Sequence, residues 1–247
     1  MNRKLFVLLS MLVFASLLLA ACGPQATPPP AATEAPTQAP APAATEPPVV
    51  EKTAVVGFTA SLTGSLNVES TRQNNGFKLW MDEVNAAGGV KLPDGTVVKF
   101  ESKFYDDESK KDRVQELYTK LATEDKADFL ISPYSSGLAD ASAVIAEQYG
   151  KIMITTGAAS DSTYKKGYTL VYQAYTPASH YLTGALDLLA SLDANAKKIA
   201  IIHENDKFST DVATALNAYA ADKGYEIAMN EGYDTGTTDF APIMRAS

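Results

Sequence analysis

The sequence predicts an α/β fold with doubly wound parallel sheets. Apolar, β-rich runs recur after residue 53, and segments with the periodicity of amphipathic helices lie between most of them. Continuous apolar strands that alternate with helices are typical of parallel sheets covered on both faces. The predicted strands are residues 54–58, 97–105, 128–131, 152–155, 170–172, 199–202 and 226–230. The predicted helices are residues 76–87, 112–123, 138–148, 179–192 and 210–222.

The first 21 residues have the pattern of a secretory signal peptide. Arg3 and Lys4 precede a segment, residues 5–21, that contains no charged residue. The alternative is a transmembrane anchor, for which 17 apolar residues lie at the short limit of about 17–25. The end of the segment, "LAAC", resembles the bacterial lipobox, in which a peptidase cuts before the cysteine and lipid is attached to it. Cys22, the only cysteine of the chain, is therefore predicted to carry lipid, which leaves no thiol for a disulfide, a metal or catalysis.

Residues 22–52 are predicted to form a tether. Residues 24–48 hold nine of the 13 prolines, and alanine, threonine and glutamate fill most of the gaps. Such a segment has no large apolar side chain to bury and favours solvated, extended conformations. The folded part of the protein is then residues 53–247, which work at a distance from the anchor.

The chain is acidic, with 21 basic and 29 acidic residues and a net charge of −8. Loss of residues 1–21 removes two basic residues and no acid, which changes the net charge to −10. This balance argues against nucleic acid, or an anionic lipid surface, as the main partner. Attachment to a membrane is expected through the lipid alone.

Two predicted strand ends are rich in small hydroxyl residues. Residues 132–137 read "SPYSSG" and residues 155–160 read "TTGAAS". Ligands of doubly wound sheets bind at the carboxyl ends of the strands, so both loops are candidates for one anion site. The alternative is that Ser136 is only the N-cap of a helix starting at Leu138, and that residues 157–162 are an ordinary loop.

Five blocks of the sequence, taken together, resemble a known family. In chain order they are "VVGFTASLTGSL", "DEVNAAGGV", "KFYDDES", "ISPYSSGLADASAVIAEQYGKIMITTGAAS" and "KKIAIIHENDKFSTDVATALN". This series is similar to the branched-chain amino-acid binding proteins of ABC importers, which are type I periplasmic binding proteins. The resemblance covers residues 53–247. It implies two lobes joined by a hinge, residues 53–174 and 175–247, with further chain expected after Ser247 to complete the second lobe.

The resemblance also implies a ligand site. Ser136 matches the serine that bonds the ligand's carboxylate. Ala158 matches the residue whose carbonyl takes the ammonium, and Ser160 matches the residue whose hydroxyl and amide take the carboxylate. Phe208 matches an aromatic residue that closes over the ligand from the second lobe, with core packing as the alternative.

Tyr134 and Glu69 match positions that line the first-lobe side of the site. Several relatives carry an aromatic residue at the position of Glu69, and this departure bears on which ligand side chain is accepted. The implied protein is an extracytoplasmic, membrane-anchored binding protein that delivers a small amino acid to permease subunits of an ABC importer. A receptor ectodomain, or a binding protein for short amides, urea or aromatic acids, is the alternative.

No enzyme motif was found in the sequence. It contains no G-x-S-x-G, H-E-x-x-H, G-x-x-x-x-G-K-[ST] or G-x-G-x-x-G pattern, and it has two isolated histidines. Asp106 and Asp107 could suggest a metal pair. Adjacent residues after a strand point in different directions, however, so a turn is the favoured interpretation. We expect no metal, no cofactor and no catalysis.

Overall fold

The computed structural model describes residues 49–246, so the predicted signal peptide, Cys22 and most of the predicted tether lie outside the described residues. The strands are β1 (Glu51–Ala60), β2 (Val90–Lys91), β3 (Val97–Asp106), β4 (Phe129–Ile131), β5 (Ile152–Thr155), β6 (Val171–Gln173), β7 (Lys198–Glu204) and β8 (Glu226–Tyr233). The helices are α1 (Asn67–Ala86), α2 (Lys111–Thr123), α3 (Ser136–Gln148), α4 (Asp161–Tyr164), a 3-10 turn (Ala178–His180), α5 (Thr183–Leu192), α6 (Lys207–Asp222) and α7 (Ala241–Ala246). Within residues 49–246, no helix is both long enough and apolar enough to cross a bilayer.

Six strands form the first sheet, in the order β2-β3-β1-β4-β5-β6. All neighbours pair in parallel except β2, which is antiparallel to β3. The chain runs from β1 to β3 on one side and then crosses to β4 on the other, which places the switch point between β1 and β4. A second sheet contains the parallel pair β7 and β8. The predicted α/β fold with parallel sheets is confirmed.

Helices α2 and α3 cover one face of the first sheet. Their apolar side chains pack on the central strands, where Tyr118, Leu121, Leu130 and Met153 are fully buried. Each such side chain contributes about 1.5–3 kcal/mol by leaving water. The Tyr118 hydroxyl donates to the carbonyl of Ile131, and burial raises the pKa of Tyr118 well above its usual value. The end of β4 is thereby fixed to α2.

A separate apolar cluster holds the second sheet. Leu186 of α5, Ile201 of β7 and Leu216 of α6 are buried together with Tyr225, which precedes β8. The Tyr225 hydroxyl donates to the Leu186 carbonyl at 3.2 Å. These contacts join α5 and α6 to the pair of strands.

Several predicted boundaries differ from the structure, and three of the differences have a clear physical reason. Helix α1 begins at Asn67, before the predicted start at residue 76, because its first turns expose polar side chains and Ser70 is its one buried residue. The predicted helix 179–192 is interrupted, because Leu182 has a left-handed backbone with φ +62°. Strand β1 begins at Glu51, inside the predicted tether, because the Val50 carbonyl accepts from the Val97 amide and starts the pairing with β3.

Candidate ligand-binding cleft

A cleft of about 730 Å³ lies at the carboxyl ends of the first-sheet strands. The loops that follow β1, β3, β4 and β5 line one side of it, and this edge contains the switch point between β1 and β4. The other side is formed by the end of β7 and the residues after it, from Glu204 to Ser209, and by Thr235 after β8. The linker residues Tyr175 and Tyr181 complete the lining.

Ser136 stands at the start of α3 on the wall of this cleft. Its hydroxyl oxygen accepts hydrogen bonds from the amides of Ala159 and Ser160, both at 3.1 Å. A serine hydroxyl accepts two bonds and donates one, so its proton is left for another partner. The N-cap of α3 is Ser135, and its side chain makes no capping bond. The alternative that Ser136 merely caps a helix starting at Leu138 is therefore wrong.

The first turn of α3 is suited to an anion. No side chain among residues 49–246 caps its amides, whereas the corresponding end of α6 is capped by Asp206, which accepts from the amides of Phe208 and Ser209. A Cβ placed on Gly137 would lie 3.9 Å from the Nζ of Lys111, so that ammonium group stands beside the turn. Free amides, the helix dipole and a cation all favour negative charge here.

Three of the five residues other than glycine that have positive φ within residues 49–246 lie around the same end of the sheet. Glu108 and Ser109 have φ of +55° and +59°, and Ser135 has φ of +138°, a region that residues other than glycine rarely adopt. Ser109 and Ser135 both line the cleft. Strain at such positions is typical of functional sites, where the surrounding contacts must hold it in place.

Asp106 and Asp107 lie behind the cleft lining, at the end of β3. The fully buried Asp107 accepts from the hydroxyls of Thr59 and Ser61, at 2.6 and 2.5 Å. Burial alone would raise the pKa of Asp106, but hydrogen bonds from the amide of Glu108 and its other neighbours hold it below the usual value. The two carboxylates thus organise the loops after β1 and β3. No cluster of three His, Cys, Asp or Glu side chains within residues 49–246 could hold a metal ion.

Ala158 and Ser160 lie behind the cleft wall. Both are buried, and neither belongs to the lining residues. The Ala158 carbonyl accepts from the Tyr164 hydroxyl at 2.9 Å. The Ser160 hydroxyl donates to a carboxylate oxygen of Asp211 on α6. Their polar groups therefore already have protein partners.

Aromatic side chains form a second part of the lining. Tyr134 and Tyr175 face the cleft together with Tyr181 and Phe208, whose rings meet edge to face with centroids 5.2 Å apart. Burial, and secondarily the charge of Glu69, raises the pKa of Tyr134. Burial and the neighbouring Tyr175 raise the pKa of Tyr181 to about 12. Phe208 also packs against a buried cluster of Ala159, Ala178 and Val212, as the core-packing alternative predicts, and its closing over a ligand stays a prediction.

Glu69 lies in a neighbouring cavity of about 780 Å³. Apolar side chains dominate this cavity, among them Phe77 and Trp80, and it shares Tyr134, Tyr175 and Gly157 with the cleft. A Cβ on Gly157 would lie 2.4 Å from the amide oxygen of Gln73 and 2.7 Å from the Tyr134 ring. Any larger residue at this position would therefore have to displace Gln73 and Tyr134.

Of the six predicted site residues, the structure places Tyr134, Ser136 and Phe208 on the cleft. Sequence reasoning missed its charged members, which are Lys111, Glu204, Asp206 and Lys207. All four lie near the carboxyl end of β3 or β7, and this position is the signal that could have identified them. With hydroxyls, amides, both signs of charge and no histidine among its lining residues, the cleft is equipped to bind a small polar molecule.

The fold and cleft define a binding protein of the two-sheet α/β type, and residues 53–247 match the family model described as "Periplasmic binding protein". The chain belongs to this family and has the type I fold, which confirms the resemblance found in the sequence. A structure of a branched-chain amino acid transporter substrate-binding protein from Streptococcus pneumoniae, in complex with isoleucine, is similar with a TM-score of 0.63 and 26% identity. The match covers 78% of this chain and 53% of that one.

Two curated relatives carry the names of amino-acid binding proteins or their homologues. The "Leucine-, isoleucine-, valine-, threonine-, and alanine-binding protein" of Pseudomonas aeruginosa is 23% identical over 78% of this chain and 50% of its own length. The "Leu/Ile/Val-binding protein homolog 8" of Brucella abortus is 26% identical over 74% of this chain and 46% of its own length. The chain thus spans about half the length of the curated relatives it matches.

Proposed function

We propose that this chain captures a small amino acid of the branched-chain type outside the cytoplasm and delivers it to permease subunits of an ABC importer. The observation that carries the proposal is the uncapped start of α3, where the Ser136 hydroxyl oxygen accepts two amides and keeps its proton for another partner, and where the Lys111 ammonium stands beside Gly137. The names of the relatives and the isoleucine in the similar structure support this ligand class. The ligand is bound and released without chemical change.

The ligand's carboxylate is assigned to Ser136 and the first turn of α3. Neutral donors there balance the charge without requiring a buried ion pair. The apolar side chain is assigned to the aromatic lining, with Tyr134 on one side and Phe208 on the other. Ala158 and Ser160 act as direct ligand contacts only if their loop opens, because neither lines the cleft and both have protein partners.

Thermal unfolding tests the ligand class. Isoleucine, leucine or valine at a hundred times its dissociation constant adds about 2.7 kcal/mol to the free energy of unfolding. The matched controls are the acid that lacks the ammonium group and the amine that lacks the carboxylate. A shift with the amino acid and none with the amine supports the carboxylate assignment, whereas no shift with any amino acid contradicts the proposal.

An aromatic carboxylate is the second candidate. Four aromatic side chains line the cleft, and aromatic rings pack on one another with a gain of about 0.5–1.5 kcal/mol beyond area burial. The same unfolding assay with 4-hydroxybenzoate separates the two ligand classes. A shift with the benzoate that exceeds the shift with isoleucine favours this candidate.

We further propose that lipid on Cys22 anchors the protein to the membrane. The basic start, the apolar segment and "LAAC" support this site in the sequence. Metabolic labelling with a fatty acid should mark the unaltered protein and leave Cys22→Ala unlabelled. Equal labelling of the two proteins contradicts the proposal.

A further inference from the structure

We propose that Asp211 of α6 is a positioning residue that controls Ser136 of the cleft by acting through Ser160. The affinity test of this proposal rests on the proposed function of the cleft. Its hydrogen-exchange test rests on the structure alone. Asp211 does not line the cleft, and no sequence motif singles it out.

Asp211 holds the loop between β5 and α4. One of its carboxylate oxygens accepts the Ser160 hydroxyl proton and, at 3.0 Å, the amide of Ser162. The bonded residues are separated by 51 and 49 positions in the sequence. The bonds link α6, which follows β7 of the second sheet, to the loop after β5 of the first sheet. Hydrogen bonds to a charged acceptor are stronger than neutral ones, so this contact fixes the loop firmly.

The same loop also makes hydrogen bonds to Ser136 on the wall of the cleft. The amide of Ser160 donates to the Ser136 hydroxyl oxygen, and the adjacent amide of Ala159 donates to the same atom. These two amides occupy both lone pairs of the Ser136 hydroxyl oxygen. They thereby set the direction in which its proton points. Two consecutive hydrogen bonds therefore connect Asp211 to the proposed ligand donor.

The contacts around Asp211 indicate that its carboxylate positions the loop after β5 and does not form a stabilising ion pair among the described residues. No cation lies within salt-bridge distance of Asp211 among residues 49–246, and the nearby Lys207 instead pairs with Asp140 at 3.8 Å and donates to the Ser162 hydroxyl at 2.6 Å. The start of α6 is already capped by Asp206, so Asp211 is not needed there. Val212, next along the helix, packs with Ala159 in an apolar cluster, which limits the access of water to these bonds.

Hydrogen exchange of the full chain without ligand is the first test. In Asp211→Asn, the amides of residues 159–162 should exchange about tenfold faster, because a charge-assisted bond is lost. Asp222→Asn is the matched control, since it removes the same charge from the exposed end of the same helix. Exchange at residues 159–162 that is identical in the two variants would overturn the proposal.

Isoleucine affinity measured by calorimetry is the second test, arranged as a double-mutant cycle. Asp211→Asn should weaken binding about five- to tenfold in the unaltered chain and less than about twofold in a Ser136→Ala background. Equal losses in both backgrounds show that Asp211 does not act through Ser136 and overturn the proposal. If isoleucine does not bind the unaltered chain, the proposed ligand class fails, and the exchange experiment alone decides the role of Asp211.

Discussion

The hydroxyl of Tyr164 donates a hydrogen bond to the carbonyl oxygen of Ala158 at 2.9 Å, beneath the wall of the cleft. The resemblance assigns this carbonyl to the ligand's ammonium group. Thr155 donates to the same tyrosine oxygen at 2.5 Å, so Tyr164 ties the Ala158 carbonyl to the end of β5. The Nε2 of Gln173 also donates to this carbonyl, at 3.4 Å, so both of its lone pairs have protein partners and a ligand would have to displace one of them.

Tyr164→Phe should destabilise the protein by about 1 kcal/mol, because the Ala158 carbonyl and the Thr155 hydroxyl each lose a partner. Urea unfolding measures the loss. The same variant should bind isoleucine at least as tightly as the unaltered chain if the carbonyl serves the ammonium group, because a competing donor is gone. Clearly weaker binding would indicate that the carbonyl is only part of the wall.

The succession of the longer elements was predictable from the sequence, because alternating apolar strands and amphipathic helices are recorded in local patterns, whereas the short β2 and α4 were not predicted. Element boundaries that do not follow from such local patterns could not be predicted. Leu182 adopts a left-handed backbone that leucine does not signal, and the first turns of α1 bury almost nothing. The position of Ser136 on the cleft followed from the strand end that precedes it, whereas the link from Ser160 to Asp211 joins distant segments and leaves no local signal.

Ser136→Ala should weaken binding of the amino acid about ten- to a hundredfold, because a hydrogen bond to a charged group is worth about 1.5–3 kcal/mol. Ser142→Ala is the matched control, since Ser142 lies buried on the same helix and bonds the Ala139 carbonyl. Calorimetry measures the affinities, and urea unfolding measures the stability of both variants. Equal affinity of the two variants would mean that Ser136 only ties α3 to the loop after β5.

Gly157→Ala should weaken binding and lower stability by about 1–3 kcal/mol, because the new methyl group collides with the Tyr134 ring and the Gln73 amide. The control is Gly76→Ala in α1, where a Cβ meets nothing within 4 Å. That change should stabilise the protein by about 0.5–1 kcal/mol through higher helix propensity. Thermal unfolding of both variants provides the comparison, and a neutral Gly157→Ala would show that Tyr134 moves freely.

Acid should loosen the contact between α3, α4 and α6. Burial opposes the shift, but hydrogen bonds from Lys166 and Thr163 and the charge of Lys207 hold the pKa of Asp140 below its usual 3.8. Hydrogen bonds from Ser160 and Ser162 likewise outweigh burial and lower the pKa of Asp211 below 3.8. A carboxyl group with a depressed folded-state pKa contributes stability that is fully present above its unfolded value and is lost as the pH falls through the folded value.

The free energy of unfolding should therefore fall between about pH 5 and pH 2, and part of that fall should be absent in Asp140→Asn and in Asp211→Asn. Each variant lacks one titrating carboxyl group. The difference in free energy of unfolding between each variant and the unaltered chain should therefore be smaller at low pH than at neutral pH. Asp222→Asn is the control, because its exposed side chain makes no hydrogen bond or ion pair within residues 49–246. Urea unfolding at several pH values measures the slopes, and parallel curves for all four proteins would show that neither carboxylate stabilises the folded state by its charge.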